Sequence, residues 1–346
     1  HSLVTGYSKI SKIALAWLVV GFFVDMFIAT GAVSLVTAGL IISVFDLSLS
    51  GPQVAVALLV VSAVILINGQ YARAESIVKI LVLVFSVLAV LTTLLSLPLI
   101  GSEGRAIFVE LTPDRSLALF VIAMAGWMPM PTNGAVMYSK WICEKRNAMK
   151  DGFDHAGAVK DFRIGYGLTL VLALCFVAMG TAVLFETGRE VPSSAAGFAS
   201  ELFGIFTSVV GQWVFPVIAL AGIAVIWSTQ IALMDACPRV TGRLFTILQG
   251  KPQGSEINYK LFLLIQVAGC TIMLLFLMGN FTTFLYFATS MGFIASPAIA
   301  YYNYRAITSD GIADEYRPTK GMLIWSWAGI FFLTAFAVAF LYTSLG

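Results

Sequence analysis

Long apolar segments recur along the whole sequence, and they constrain the fold more than any other feature. A helix needs about 20 apolar residues to cross the hydrocarbon layer of a bilayer. About nine segments qualify: residues 12–44, 53–70, 75–98, 115–141, 164–186, 207–235, 259–279, 281–305 and 322–345. Only 11% of the 346 residues are charged, against about 25% in soluble domains. The sequence therefore predicts an all-α membrane protein in which residues 1–346 form a single transmembrane domain.

The basic residues are distributed unequally between the predicted loops. If the chain enters its first span from the cytoplasm, 17 of the 20 Lys and Arg residues lie on the cytoplasmic side, and only Arg105, Arg115 and Arg189 lie outside. Cytoplasmic loops of membrane proteins are enriched in Lys and Arg. We therefore predict a multi-pass protein of the cell membrane, of the bacterial inner-membrane type, whose first residue is cytoplasmic and whose last residue is outside.

The fourth predicted span contains the sequence GWMPMPTNGAVMYSKW, which is incompatible with a regular helix. Pro129 and Pro131 each remove a backbone donor and clash with the preceding turn, and Gly126 and Gly134 flank them. Irregular backbone at membrane depth is tolerated only where protein or water satisfies its carbonyl groups. Transporters place such interruptions at the ion site near mid-membrane. A helix kinked by proline that serves only packing is the alternative.

Three side chains would lie at this interruption: the thioether of Met130 and the oxygens of Thr132 and Asn133. Oxygen ligands with one soft sulfur suit a divalent metal such as Mn²⁺. The backbone carbonyls near Gly126 and Pro129 would complete the site.

Asp25 lies deep in the first predicted span, where a carboxylate is costly and should face protein or water. We interpret it as part of an ion or proton path, with a structural polar contact as the alternative. Lys260, at the start of the seventh span, is a candidate partner, although its side chain could instead extend to the membrane surface.

Other polar features favour structural roles. Asp235 is four residues from Arg239, which predicts an ion pair at a helix end. Ser228, Thr229 and Gln230 either line a cavity or bond between helices. The segment from Ser290 to Tyr302, with Gly292 and Pro297, is interpreted as a simple kink.

The sequence lacks the patterns of soluble enzymes. It contains no HExxH, Gly-x-Ser-x-Gly, phosphate loop or GxGxxG, and its two histidines lie outside the predicted spans. We therefore predict a protein that is not an enzyme, uses no cofactor and binds no nucleic acid. The four cysteines are far apart and mostly in apolar runs, as expected for buried small side chains without disulfides.

Two motifs resemble the Nramp family of divalent metal transporters, and within it the divergent branch that includes magnesium transporters. The family's sixth-helix motif, about G-A-T-V-M-P-H-N, matches at Gly126, Met130, Pro131 and Asn133, and its third-helix motif T-D-L-A-E-V-I-G matches at Asp25 and Gly31. A register shifted by two residues would align Met128 instead of Met130. The resemblance implies an inverted-repeat, LeuT-like fold whose helices three to eleven are present, so we expect the sequence to omit the first two.

The resemblance implies transport of Mg²⁺ or Mn²⁺ across the membrane, with the ions as substrates. Gly126, Pro129, Met130, Thr132 and Asn133 would contact the ion, and Asp25 and Lys260 would form a helper pair. Thr132 and Ile28 replace two titratable residues of the family, which favours transport without proton coupling. Two alternatives stay open: a transporter of small, amino-acid-like organic solutes on the same fold, and a membrane receptor or scaffold that does not transport.

Overall fold

The computed structural model describes residues 2–69, 71–101, 127–128, 131–149, 154–185, 188, 192–250, 259–277, 280–310, 312 and 316–345. In this part of the chain all regular structure is helical. The α-helices are α1 (Leu3–Ile10), α2 (Lys12–Phe45), α3 (Gly51–Ile67), α4 (Tyr71–Ser96), α5 (Gly134–Met149), α6 (His155–Gly180), α7 (Ala195–Val210), α8 (Phe215–Leu248), α9 (Tyr259–Ile272), α10 (Phe281–Ile307) and α11 (Lys320–Leu345). Short π-helical turns, Thr181–Phe185 and Met273–Leu277, extend α6 and α9.

Seven helices of the described residues are long and apolar enough to cross a membrane: Lys12–Phe45, Val78–Leu99, Ala156–Phe185, Gln212–Leu248, Tyr259–Phe276, Phe281–Ile307 and Lys320–Ala339. Each overlaps one predicted span. The predicted span 53–70 forms the shorter apolar helix α3, and most of the predicted span 115–141 lies outside the described residues. The protein is thus an all-α, multi-pass membrane protein.

The predicted span 207–235 was wrong at its start, because it crosses a helix boundary. Helix α7 ends before Gly211, whose φ of 109° is favourable only for glycine. Helix α8 then begins at Phe215 with Pro216 in its first turn, a position that proline favours. Apolar residues continue on both sides of this boundary, so hydropathy alone does not reveal it.

Helix α2 forms the centre of the bundle and packs against α3, α7, α8 and α10. Two of its hydroxyl side chains are fully buried and bond to the backbone of their own helix: Ser34 Oγ donates to the Thr30 carbonyl at 2.7 Å and Thr37 Oγ1 to the Val33 carbonyl at 2.9 Å. Buried hydroxyl groups need such partners because no water reaches them.

The outer surface is apolar, as lipid requires. On α11, Trp325 is 79% exposed and Phe331 is 74% exposed. A soluble protein would rarely leave such large apolar side chains together at its surface. The hydrocarbon layer is therefore the natural environment of this face.

The polar residues of α8 have structural contacts. The Trp227 indole donates to Ser62 Oγ on α3 at 2.9 Å, and Gln230 Nε2 donates to the same oxygen at 3.3 Å. Ser228 and Thr229 bond to the carbonyl of Val225 within α8. Gln230 thus bonds between helices, which is one of the two alternatives stated from the sequence. The hydroxyl groups of Ser228 and Thr229 bond within α8 instead.

The predicted ion pair of Asp235 and Arg239 is confirmed, but it lies within α8, which continues to Leu248, and not at a helix end. It belongs to a larger network between α5, α8 and α9. The guanidinium of Arg239 donates to Asp235 at 2.8–2.9 Å and contacts Glu144 at 3.1 Å. Asp235 also accepts from the Tyr259 hydroxyl at 3.0 Å and the Trp141 indole at 3.3 Å. This network fixes α5 against two long helices.

All four cysteines are free thiols, and Cys175, Cys237 and Cys270 are buried, as predicted.

Candidate functional site

Of the interruption predicted from the two prolines, the structure describes residues 127–128 and the segment that leads into α5. Residues Pro131, Thr132 and Asn133 are not helical, and α5 begins only at Gly134. The amide of Gly134 donates to the Pro131 carbonyl at 3.0 Å, and that of Val136 to the Asn133 carbonyl at 2.9 Å. The turn thus leads directly into the first hydrogen bonds of α5. Gly126, Pro129 and Met130, three of the predicted ion contacts, lie outside the described residues.

Asn133 and Asp25 are in direct contact at this interruption. Asn133 Nδ2 donates a hydrogen bond to Asp25 Oδ2, across 108 residues of sequence. Asn133 is only 7% exposed, and its amide oxygen is buried without a hydrogen-bond partner. Buried polar atoms without partners are uncommon and call for an explanation. This oxygen is oriented by the Asn133–Asp25 bond and is free to accept from, or coordinate, a further group.

The partner of Asp25 in the structure is Asn133 and differs from the one predicted from the sequence. We expected Asp25 and Lys260 to form a helper pair inside the bundle, away from the interruption. Instead Asp25 contacts the interruption itself, and no ion pair joins it to Lys260, which is exposed in the first turn of α9. A lysine near a helix end keeps its ammonium group in water, so Lys260 follows the alternative weighed from the sequence.

Thr132 is held by a residue that sequence reasoning did not single out. Thr132 Oγ1 donates to Ser296 Oγ on α10 at 2.7 Å, and Ser296 Oγ donates to the carbonyl of Gly292 at 2.9 Å. Ser296 is 3% exposed. Helix α10 stays continuous with Pro297 inside it, so the segment from Ser290 to Tyr302 is not broken. A serine one residue before a proline within a span was the available signal.

A cavity of about 170 Å³ lies between α2, α10 and the non-helical segment before α5. Its lining includes Asp25 and Asn133, and the other lining residues are glycines or apolar: Trp17, Val20, Gly21, Met291, Gly292, Ile294, Ala295 and Ile299. Among the lining residues that the structure describes, Asp25 is the only ionisable one, so this lining combines one carboxylate, one free amide oxygen and apolar walls.

One turn along α2, a second polar contact braces the same helix. Gln266 on α9 is fully buried and donates to the Met26 carbonyl at 3.2 Å and to Thr30 Oγ1 at 2.8 Å. The Cys270 thiol approaches the carbonyls of Met26 and Phe27 at 3.6 and 3.5 Å. These contacts hold the segment of α2 that carries Asp25. The position of Gln266 in the middle of a predicted span was the sequence signal for this contact.

The arrangement differs from a preformed metal centre. In the part of the chain that the structure describes, no three His, Cys, Asp or Glu side chains come together to hold a metal ion. One carboxylate and one amide oxygen are hard ligands of the kind that Mg²⁺ and Mn²⁺ prefer. They suit an ion that keeps part of its water shell while it passes.

Fold and site together define a multi-pass α-helical membrane protein in which the non-helical segment before α5 faces a cavity, and the described lining of this cavity is largely apolar with one carboxylate. No family model matches the chain. The chain is similar to an uncharacterized protein of Pasteurella multocida (strain Pm70), with 27% identity over 354 aligned positions that cover 100% of this chain and 79% of that protein.

Proposed function

We propose that this protein is a transporter of divalent metal cations, with Mg²⁺ or Mn²⁺ as substrate. The observation that supports this function best is the contact of Asp25 with Asn133 at an interrupted helix. It places a carboxylate and an unpartnered amide oxygen together on a cavity inside a membrane-embedded bundle. A carboxylate within a span is costly, and such residues mark ion paths.

The chemistry of the two side chains fits a cation in transit. Asp25 would supply negative charge and Asn133 Oδ1 a neutral ligand, while the cavity of about 170 Å³ has room for the ion with several waters. Mg²⁺ keeps waters and binds through one or two carboxylates. Carbonyl groups near Gly126 and Pro129 would add oxygens, and Met130 would favour Mn²⁺ if its sulfur coordinates.

Thr132 has a different role in this proposal from the one expected. Its hydroxyl donates to Ser296 and therefore fixes the turn against α10, leaving only its lone pairs for an ion. Neither Thr132 nor Ile28 can titrate, which supports transport without an accompanying proton.

Transport of a small organic solute is the second candidate, and the cavity walls favour it. Eight of the ten lining residues are glycines or apolar, among them Trp17, and binding sites for organic ligands are mostly apolar with a few placed polar groups. Asp25 and Asn133 could then bind an ammonium group and another polar group of the solute.

Flux measurements with the full chain in proteoliposomes separate these functions. Mg²⁺ and Mn²⁺ influx would be followed with a metal-sensitive dye, and luminal pH with a second dye. We expect metal influx without acidification. Asn133→Ala should weaken apparent affinity at least about tenfold, because it removes a neutral oxygen ligand of the cation, and a polar contact to a charged group contributes about 1.5–3 kcal/mol.

Asn68→Ala is the matched control, since Asn68 is exposed at the end of α3 and should behave as wild type. Absence of any metal flux, combined with uptake of an amino-acid-like solute, would replace the proposal by the second candidate. Metal flux that Asn133→Ala leaves unchanged would keep the function but remove this site.

A further inference from the structure

A groove between α5 and α6 is unrelated to the cavity at Asp25. It has a volume of about 440 Å³, within the range of about 300–1,000 Å³ usual for small-molecule sites. Its walls are joined at Tyr138, whose hydroxyl donates to the Ala158 carbonyl at 3.3 Å and whose ring lies 5.4 Å from that of Phe162. The Tyr166 ring stacks on Phe162 at 5.8 Å. We call this region the α5–α6 groove.

Polarity changes along the α5–α6 groove. Lys145, near the end of α5, and Asp161, in the second turn of α6, supply the charged groups of its lining. The remaining wall is mainly aromatic and apolar and extends to Thr169, eight residues beyond Asp161 or roughly 12 Å along the helix. A polar end followed by an apolar channel of this length matches the shape of an amphiphile.

The surroundings place the α5–α6 groove at the edge of the bilayer. Helix α6 belongs to a candidate span, Ala156–Phe185, and beyond its charged first turns it exposes Ile164 by 59% and Leu174 by 64%. Trp141, Tyr138 and Tyr166 line the groove, and Trp and Tyr are enriched at the depth of the lipid headgroups. A lipid molecule therefore has direct access.

The charges of the lining indicate which headgroup fits. Lys145 and Asp161 are exposed, and no ion pair joins either of them to another described residue. Sites for anionic lipids use clusters of basic residues, whereas the described residues of this lining offer one cation and one anion. A headgroup with one phosphate and one ammonium group is the complementary ligand. The aromatic rings beside Asp161 would also attract an ammonium group through their faces.

We propose that the α5–α6 groove binds one molecule of a zwitterionic phospholipid of the phosphatidylethanolamine type. Its phosphate pairs with Lys145, its ammonium group with Asp161, and an acyl chain lies along Phe162 and Tyr166. The lipid fills the space between α6 and α5, the helix that begins at the interruption.

Native mass spectrometry of the full chain, purified in detergent and titrated with lipids, tests this site. Phosphatidylethanolamine and phosphatidylglycerol with identical acyl chains serve as probes. We expect one phosphatidylethanolamine per chain, bound more tightly than phosphatidylglycerol. Equal binding of the two lipids, or preference for phosphatidylglycerol, would overturn the proposed headgroup recognition.

Two glycines of α6 offer a matched pair of variants. A Cβ at Gly165 or at Gly167 would meet no atom within 4 Å, so a larger side chain is accommodated at both, but only Gly165 lines the groove. Gly165→Leu should abolish the bound lipid, and Gly167→Leu should retain it. Equal retention by both variants would contradict the site.

The charge variants keep the test decisive if either leucine variant is poorly folded. Lys145→Gln and Asp161→Asn change exposed side chains, and each should weaken phosphatidylethanolamine binding about fivefold, the contribution of one such charge near a membrane. Asp161→Asn should also reduce the preference over phosphatidylglycerol. Unchanged affinities in both variants would refute the proposal, whatever the outcome of the flux measurements.

Discussion

Replacing Asp25 by Asn tests the centre of the candidate site with a minimal change of shape. The carboxylate lies in α2, accepts from Asn133 Nδ2, and is the only ionisable group among the described residues that line the cavity. Asparagine keeps an oxygen that can accept from Asn133, so we expect the fold to be retained. What the substitution removes is the formal negative charge next to the passing ion.

The magnitude follows from the kind of interaction that is lost. An interaction in which one partner is charged contributes about 1.5–3 kcal/mol when the solvation of both partners is included. At about 1.4 kcal/mol per factor of ten, Asp25→Asn should raise the concentration of Mg²⁺ or Mn²⁺ at half-maximal flux roughly tenfold to a hundredfold. The apolar walls of the cavity supply no replacement charge.

Initial rates of metal influx into proteoliposomes, measured over a range of concentrations, give the apparent affinity and the maximal rate separately. Asp46→Asn is the control on the same helix. Asp46 is exposed at the end of α2 with φ of 47°, a conformation that Asn also adopts readily, so this variant should behave as wild type. If Asp25→Asn changes only the maximal rate, Asp25 does not bind the ion and acts elsewhere in the transport cycle.

Three further predictions concern the scaffold. Asp235→Asn should lower the free energy of unfolding in detergent by about 1–2 kcal/mol, because the ion pair with Arg239 is half-buried; a melting temperature equal to wild type would contradict this. Gly39→Ala should destabilise the protein by about 1–3 kcal/mol, because the new Cβ would collide with the Ala195 carbonyl. Gly204→Ala is the control, since its Cβ would meet open space. Equal melting temperatures of the two variants would contradict the packing of α2 against α7 at Gly39. A maleimide should modify only Cys143 of the four thiols before denaturation and all four afterwards, because the others are buried; intact mass measures this, and early modification of a second thiol would contradict the burial.

The class of protein and the place of the interruption could be read from the sequence because both depend on local properties. Segments of about 20 apolar residues are required by the thickness of the bilayer, and seven of the nine predicted spans overlap long apolar helices of the structure. A proline is incompatible with a helix interior because of its ring and its missing amide hydrogen; Pro131 is not helical, and α5 begins three residues later. The boundary between α7 and α8 at Gly211 was not predicted, because a short turn between two apolar helices leaves the hydropathy unchanged.

The contacts between the residues of the site were decided by the tertiary structure. Asn133 meets Asp25 from 108 residues earlier, and Thr132 meets Ser296 from 164 residues later. Lys260 carries the charge that made it a reasonable partner of Asp25, yet it lies exposed at a helix end. Within lipid, almost any two apolar helix faces can pack, so hydropathy specifies the number of spans but not which spans are neighbours. The fit of small residues such as Gly39 against Ala195 selects the arrangement, and that arrangement determines which polar side chains meet at the interruption.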